Sequence, residues 1–243
     1  MTNLSRIDKL LALTGVGRSE AKKMIASGRV AVSGVVTRDP GFKALPADLT
    51  LDGAPLFIET DVYLMLHKPA GVVTATEDKR LPTVVSLLPE KYQRRRIGPV
   101  GRLDRDVTGL VLLTTDGELA HRLISPKWKA EKTYRAVCEG RLTDADVAAF
   151  AAGLELSDFT AKPARLDILS ATDDQSVADV TLTEGKFHQV KRMFAAVGHP
   201  LSSLHRLRIG CVTLDEDLPV GEYRPLTDAE ITGLKRLTSL IKE

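Results

Sequence analysis

The chain has 243 residues, a hydrophobic share of 43%, a charged share of 27% and a formal net charge of +2, an ordinary composition for a soluble globular protein. No stretch has the length of a membrane span, and the N-terminus lacks the apolar core of a signal peptide, so we expect neither an anchor nor a targeting segment. Cys138 and Cys211 are lone thiols and the five histidines are scattered, which argues against a disulfide framework or a metal site and favours the cytoplasm.

The N-terminal quarter carries the excess positive charge. Residues 1–58 contain eight Lys and Arg against five Asp and Glu, a balance of +3, and the remainder of the chain has a balance of −1. A small basic module joined to a nearly neutral body is typical of a protein that tethers itself to a polyanion.

Two short helices are predicted at the start of the chain. The spacing of Ile7, Leu10 and Leu11 predicts a helix over residues 6–13. Ser19 is expected to cap a second helix that ends at Gly28.

A small sheet is predicted to follow the helices. Val30–Val32 and Val35–Val36, separated by a Ser33–Gly34 turn, predict a hairpin. Leu49–Leu51 and Phe57–Ile58 add two short extended segments. Residues 1–58 therefore form one small domain of two helices on a sheet.

The run RIDKLLALTGVGRSEAKKMIASGRVAVSGVV resembles the S4 RNA-binding domain. Ser33 stands where that family typically has Asn, in a turn that tolerates both residues. The resemblance implies that basic residues on and just beyond the outer side of the helices bind RNA: Arg6, Lys9, Arg18, Lys22, Lys23 and Arg29.

The rest of the chain, residues 59–243, is predicted to be a larger second domain. Strands are expected at 63–66, 111–113, 133–138, 165–169 and 177–183, and helices at 118–124, 143–152, 187–197 and 227–237. The strands do not alternate regularly with helices, which predicts an α+β body with a mostly antiparallel or mixed sheet flanked by helices. A basic run over residues 91–96 is either an exposed loop or a contact to RNA backbone.

The segment GRLDRDVTGLVLLTTDGELAHRLISP, residues 101–126, is the strongest candidate for chemistry. It reads as a loop of mixed charge that leads into a buried strand. An Asp in such a loop is more often a turn residue than a nucleophile, so the residues alone leave both readings open for Asp104. The sequence lacks GxSxG, GxxxxGK[ST], HExxH and a GxGxxG after a strand, which argues against the enzyme classes that use those motifs.

GRLDRDVTGL resembles the central motif of pseudouridine synthases of the RsuA type, whose catalytic Asp matches Asp104. EKTYRA supplies Tyr134, which matches the aromatic residue that stacks on the target base, and EGKFHQVKRMFAAVG supplies Lys191, which matches the basic partner of the Asp. HKPAGVV and LHRLRIG…GEYRPLT extend the similarity through nearly the whole chain. Val107, where the family usually has Ser or Thr, and His67, where it usually has Asn, are departures.

The resemblance implies an isomerase that converts a uridine of ribosomal RNA to pseudouridine. The reaction breaks the bond between ribose C1′ and uracil N1 and joins C1′ to C5, so we expect no metal and no cofactor. A carboxylate can stabilise or capture the developing positive charge on the ribose. Lys191 would keep Asp104 ionised, while Asp106 is expected to be structural or a solvated surface residue.

The target uridine should be flipped out of the folded RNA, so residues around the catalytic loop are expected to hold RNA. Arg102 would occupy the vacated space or bind a phosphate. The further RNA-binding candidates are His188, Gln189, Arg192 and Arg206. His188 is expected on the same helical face as Lys191.

EKTY and KFHQVKRMFAAVG are most similar to family members that act on small-subunit rRNA. The expected partner is therefore small-subunit rRNA in an assembly intermediate, bound by a monomer without contact to a membrane. The alternatives are an enzyme for large-subunit rRNA and a non-catalytic ribosome-assembly factor. The missing glycine-rich loop argues against an S4 module joined to a methyltransferase. The sequence leaves open whether Asp104 attacks C1′ or removes a ribose proton.

Overall fold

The computed structural model describes residues 4–56, 58 and 61–241. The chain divides into two compact units, one of Met1–Val62 with Glu90–Arg96 and one of Tyr63–Pro89 with Ile97–Glu243. The basic run over residues 91–96 therefore groups with the N-terminal unit, and it begins in a short helix instead of forming only a loop. The division between residues 58 and 59 stays a prediction.

The N-terminal unit has the predicted helices and hairpin. Its elements are β1 (Ser5–Arg6), α1 (Ile7–Ala12), α2 (Arg18–Ala26), β2 (Val30–Val32), β3 (Val35–Val36), β4 (Lys43–Ala44), β5 (Leu49–Leu51), β6 (Ala54–Pro55) and α3 (Glu90–Gln93). The sheet order is β3-β2-β5-β6, and β1 pairs with β4. The strand that follows β5 is β6, and the predicted segment at residues 57–58 lies partly outside the described residues.

The expected cap at Ser19 is wrong. Gly17 is the N-cap of α2, with an extended backbone at ψ 147° and no side-chain hydrogen bond. Ser19 lies inside the first turn, because the extended residue that precedes a helix is here the glycine. The helix ends at Ala26, and Gly28 follows it with a φ of +79°.

The body is a mixed α+β structure, as predicted. Its strands are β7 (Tyr63–Lys68), β8 (Gly98–Pro99), β9 (Thr108–Thr114), β10 (Lys132–Glu139), β11 (Arg165–Ala171), β12 (Gln175–Leu182), β13 (Leu201–Ile209), β14 (Val212–Thr213) and β15 (Tyr223–Pro225). Its helices are α4 (Gly117–Ile124), α5 (Asp144–Ala152), α6 (Gln189–Ala196) and α7 (Asp228–Leu237). In the described chain the sheet order is β11-β12-β10-β13-β9-β7-β15, and β13 with β9 is its parallel pair.

The predicted start of α6 at Phe187 is wrong. His188 is the N-cap, and its φ of +50° lies in the left-handed region, which a continuing α-helix does not contain. The residues before Gln189 therefore form a turn, and Phe187 is 74% exposed. Phe194 is buried and packs edge-on against Phe150.

Gly109 lets β9 and β13 approach each other beside the loop that carries Asp104. Its φ is +103°, and a Cβ there would lie 2.3 Å from the carbonyl oxygen of Arg206. A side chain at this position would both strain the backbone and separate the parallel pair.

We expect Gly109→Ala to lower the free energy of unfolding by at least about 3 kcal/mol. Urea unfolding followed by the fluorescence of Trp128 would measure the loss. Gly117→Ala is the matched control, because a Cβ at the first position of α4 meets no atom within 4 Å. Equal stability of the two variants would contradict the close approach.

Candidate active site

A cavity of about 670 Å³ opens in the body, lined by the loop that carries Asp104 and by residues of other elements. Strand β10 contributes Lys132 and Tyr134, the segment around the start of α6 contributes residues 185–191, and β13 contributes Arg206. Asp104 is the single carboxylate among the lining residues, which otherwise carry a cationic excess: Arg102, Lys132, Lys186, Lys191 and Arg206.

A buried lysine holds the loop that carries Asp104. Lys68 is fully buried, and its Nζ donates to the carbonyl oxygens of Val107 at 2.7 Å, Pro69 at 3.0 Å and Arg105 at 3.2 Å. Burial lowers the pKa of Lys68 to about 8, against the opposing charges of the nearby carboxylates. Lys68 lies in the segment HKPAGVV, but no local pattern in the sequence predicts this anchoring function.

The other side of the loop is fixed by Thr74. Its hydroxyl donates to the carbonyl oxygen of Leu103 at 2.8 Å and accepts from the Leu103 amide at 3.1 Å. Val107, a departure from the resembled motif, is buried and contributes backbone hydrogen bonds to the same loop. The residues on both sides of Asp104, Leu103 and Arg105, are held by hydrogen bonds, which limits the motion of Asp104.

Lys191 and His188 both approach Asp104. The distance to Asp104 Oδ2 is 3.4 Å from Lys191 Nζ and 3.5 Å from His188 Nε2. The side chain of Asp104 is 30% exposed, so its carboxylate faces the cavity without being freely solvated. The predicted pair of Asp104 and Lys191 therefore lies together in space.

Lys191 has shorter hydrogen bonds to Asp106 than to Asp104. Its Nζ lies 2.8 Å and 2.7 Å from the two oxygens of Asp106. The hydrogen bond from Lys191 lowers the pKa of Asp106. Burial alone would lower the pKa of Lys191, but the attraction of the two carboxylates outweighs burial and raises it. The side chain of Asp106 is 73% exposed, as expected of a solvated surface residue. The sequence did not indicate that Asp106 shares Lys191 with Asp104.

His188 reaches Asp104 from a turn and not from the helical face that we expected. The left-handed backbone at His188 comes directly before the first helical residue, Gln189, and the ring lies within 3.5 Å of the carboxylate. The ring stacks on Phe187 with centroids 3.8 Å apart. Helical spacing placed Phe187 in the helix. The aromatic residue within the polar run GKFHQ was the sequence signal that could have indicated a stacking surface.

Tyr134 lies in the wall of the cavity and is 7% exposed. Its backbone pairs with Val180 of β12 on one side and Arg206 of β13 on the other. Its hydroxyl lies 3.5 Å from Nη1 of Arg206, which supplies the polar partner that a buried tyrosine needs.

The remaining residues expected to bind RNA near the cavity differ in how exposed and how free to bind they are. Arg102 is exposed at the cavity, and Arg206 is buried in it instead of being presented to solvent. Arg192 donates to Ser157 and Asp158, which neutralises its charge.

Gln189 is 3% exposed, and both ends of its amide are used inside the protein. Its oxygen accepts from the Lys186 amide at 2.9 Å, and its nitrogen donates to Glu184 at 2.6 Å. We had predicted that Gln189 contacts RNA. Because both ends of its amide are already bonded, we now expect it to position the turn before α6 instead.

The six basic residues of the N-terminal unit that were expected to bind RNA divide into two groups. The guanidinium of Arg6 is bonded to Asp8 and that of Arg29 to Asp52, so their charges are offset. The other members are exposed and form no ion pair within the described residues: Lys9, Arg18, Lys22 and Lys23.

The described part of the chain lacks two features that would suggest other functions. It contains no helix long and apolar enough to cross a membrane. It also contains no group of three or more His, Cys, Asp or Glu side chains arranged to hold a metal ion.

Comparison with known proteins matches the chain to two family models. Residues 62–196 match the model for RNA pseudouridylate synthase, and residues 5–49 match that for the S4 domain. The chain is 45% identical to Ribosomal small subunit pseudouridine synthase A of Escherichia coli (strain K12), over 94% of this chain and 99% of that relative. It is 41% identical to an uncharacterized RNA pseudouridine synthase of Bacillus subtilis (strain 168), over 93% of this chain and 96% of that relative.

A solved structure described as a crystal structure of pseudouridylate synthase also resembles the chain. The TM-score is 0.67 and the identity 40%, with 94% of this chain and 99% of the other covered.

Proposed function

The chain belongs to the RNA pseudouridylate synthase family, and from this we propose that it isomerises a uridine of small-subunit rRNA to pseudouridine, with Asp104 as the catalytic carboxylate. The observation that carries the assignment is a single carboxylate in a cationic cavity, 3.4 Å from the ammonium of Lys191. The choice of small-subunit rRNA rests on the name of the Escherichia coli relative.

The chemistry follows from the arrangement of the site. As the bond between C1′ and N1 breaks, positive charge develops on the ribose, and the carboxylate of Asp104 stabilises or captures it. The ammonium of Lys191, 3.4 Å from Asp104, attracts its carboxylate in a site that is partly withdrawn from water. A hydrolase that activates water between two carboxylates needs a second carboxylate in the cavity. Among the described residues that line the cavity, Asp104 is the only carboxylate, which favours an isomerase over such a hydrolase.

The wall of the cavity holds the base and its nucleotide. The ring of Tyr134 offers a flat apolar surface on which the flipped uracil stacks. Arg102 binds a phosphate or fills the vacated space in the RNA, since its guanidinium is exposed at the cavity. We propose that the monomer acts in the cytosol on an assembly intermediate of the small subunit.

The experiment that tests the function uses purified protein, unmodified small-subunit and large-subunit rRNA bound to a few early ribosomal proteins, and no added cofactor. Pseudouridine would be mapped by carbodiimide labelling and primer extension. We expect one new stop, on small-subunit rRNA. A stop on large-subunit rRNA alone would contradict the substrate, and RNA binding without any stop would favour a non-catalytic assembly factor.

The N-terminal unit is proposed to tether the enzyme through phosphate contacts. Replacing Lys9, Arg18 and Lys22 by Gln should weaken RNA binding and reduce the slope of log affinity against log salt by about one for each lost contact. Arg29→Gln is the control, because its charge is already offset by Asp52. Filter binding at several salt concentrations would measure the slopes, and an unchanged slope in the triple variant would mean that RNA lies elsewhere.

A further inference from the structure

Arg206, in the wall of the cavity, is a buried cation that forms no ion pair with a carboxylate among the described residues. Arg206 is 2% exposed, and its Nε donates to the carbonyl oxygen of Leu110 at 2.7 Å. Its Nη1 lies 3.5 Å from the hydroxyl of Tyr134, while Nη2 is buried and has no hydrogen-bond partner among the described residues. An unused donor on a buried charged group is costly to folding, so in a residue that lines the cavity it points to a ligand atom that accepts from it.

A second cation lines the same cavity. The Nζ of Lys132 donates to the carbonyl oxygen of Ala130 at 2.8 Å, and it forms no ion pair within the described chain. Burial, reinforced by the positive charge of Arg206, lowers the pKa of Lys132 to about 8. Two cations that destabilise each other's charge would both be relieved by a bound anion.

The proposed reaction forms an anion in the part of the cavity next to Arg206 and Lys132. When the bond between C1′ and N1 breaks, its electron pair stays on N1, and the detached uracil carries a negative charge shared with O2 and O4. The base then joins C1′ through C5 with a ring electron pair, C5 loses a proton and N1 gains one, so the composition is unchanged. The proposed stacking surface for that base is Tyr134, whose ring centroid lies 5.9 Å from Cζ of Arg206.

Resting on the proposed function, we propose that Arg206 and Lys132 form an anion site that binds the carbonyl oxygens of the detached uracil. A charge-assisted hydrogen bond strengthens as the base becomes negative. The two cations therefore stabilise the transition state more than they stabilise the ground-state complex of the enzyme with RNA. They therefore act mainly on kcat. In this proposal Arg206 contacts the detached base itself, which makes more specific the expectation that Arg206 binds RNA.

The test compares free ligands on the full-length protein by ligand-observed NMR. 5-Nitrouracil is ionised at neutral pH, uracil is largely neutral, and inorganic phosphate is an anion without a ring. We expect 5-nitrouracil to bind at least about tenfold more tightly than uracil, and Arg206→Met to remove the difference. Arg208→Met is the matched control on the same strand, because Arg208 already pairs with Glu131 at 2.9 Å and should keep the preference.

Turnover gives a second readout. Arg206→Met should lower kcat roughly 100-fold and leave KM within about threefold, because the lost interaction forms only as the bond breaks. Lys132→Met, at a less buried position, should reduce the preference for 5-nitrouracil and lower kcat in the same direction. It keeps the proposal testable if Arg206→Met does not fold.

Equal affinity of the protein for 5-nitrouracil and uracil would overturn the anion site. Phosphate binding that is lost in Arg206→Met would overturn it too, because the cations would then hold the RNA backbone. Absence of pseudouridine with the unaltered protein would count against the proposed function, whereas normal turnover by both variants would count against the anion site alone.

Discussion

Asp104→Asn should lower the rate of pseudouridine formation by roughly 1,000-fold or more, while RNA affinity stays within about threefold of the unaltered protein. The amide keeps the size and hydrogen-bonding ability of the carboxylate but lacks the negative charge that stabilises or captures C1′. The side chain lies in the cavity near Lys191 and His188, so the substitution removes charge without creating a void. Single-turnover kinetics and filter binding would separate the two quantities.

The matched control is Asp106→Asn. It is two residues away, accepts from the same Lys191 and is mainly exposed. We expect its rate to fall by less than about tenfold, because its carboxylate is not part of the cavity lining. A larger loss in Asp106→Asn than in Asp104→Asn would reassign the catalytic carboxylate, and near-normal turnover by Asp104→Asn would exclude the mechanism.

Lys191→Met is the second substitution with a large expected effect. It leaves the carboxylates of Asp104 and Asp106 without the cation that they share, so the ionised form of the pair is disfavoured. We expect kcat to fall roughly 100-fold at neutral pH and the acidic limb of the pH–rate profile to move to higher pH. The direction follows because removing a positive charge makes protonation of a neighbouring carboxylate easier.

Lys191→Arg should recover part of the rate and return the acidic limb toward its original position, because the positive charge is restored at a similar reach. Rate measurements from pH 5 to 9 on all three proteins would compare the limbs. An unshifted profile in Lys191→Met, with a lower rate, would mean that Lys191 contacts RNA and does not govern the carboxylate.

The sequence predicted the elements whose signals are local. Apolar spacing located α1, and alternating β-branched residues around a glycine turn located the β2–β3 hairpin. The lack of regular alternation between strands and helices predicted the mixed sheet, which the structure has. The motif order predicted which side chains line one cavity, although the functions of those side chains remain proposals.

The features that sequence reasoning missed depend on contacts between distant segments or on single backbone angles. The segment Glu90–Arg96 groups with a unit that otherwise ends at Val62, and no composition signal encodes that return. The left-handed φ at His188 is a local departure that helical periodicity does not register. The burial of Arg206 follows from its register opposite Tyr134, which exists only once the strands pair.

Strand β10 is hydrogen-bonded along both edges, to β12 and to β13, and it carries Lys132 and Tyr134. Backbone amides in such a doubly paired strand exchange with solvent only through large openings of the sheet, so this part of the cavity stays fixed during a catalytic cycle. A detached uracil must turn before C5 can replace N1 in front of C1′. That rotation then belongs to the substrate, which slides over an immobile aromatic surface, and it requires no rearrangement of the strand beneath it.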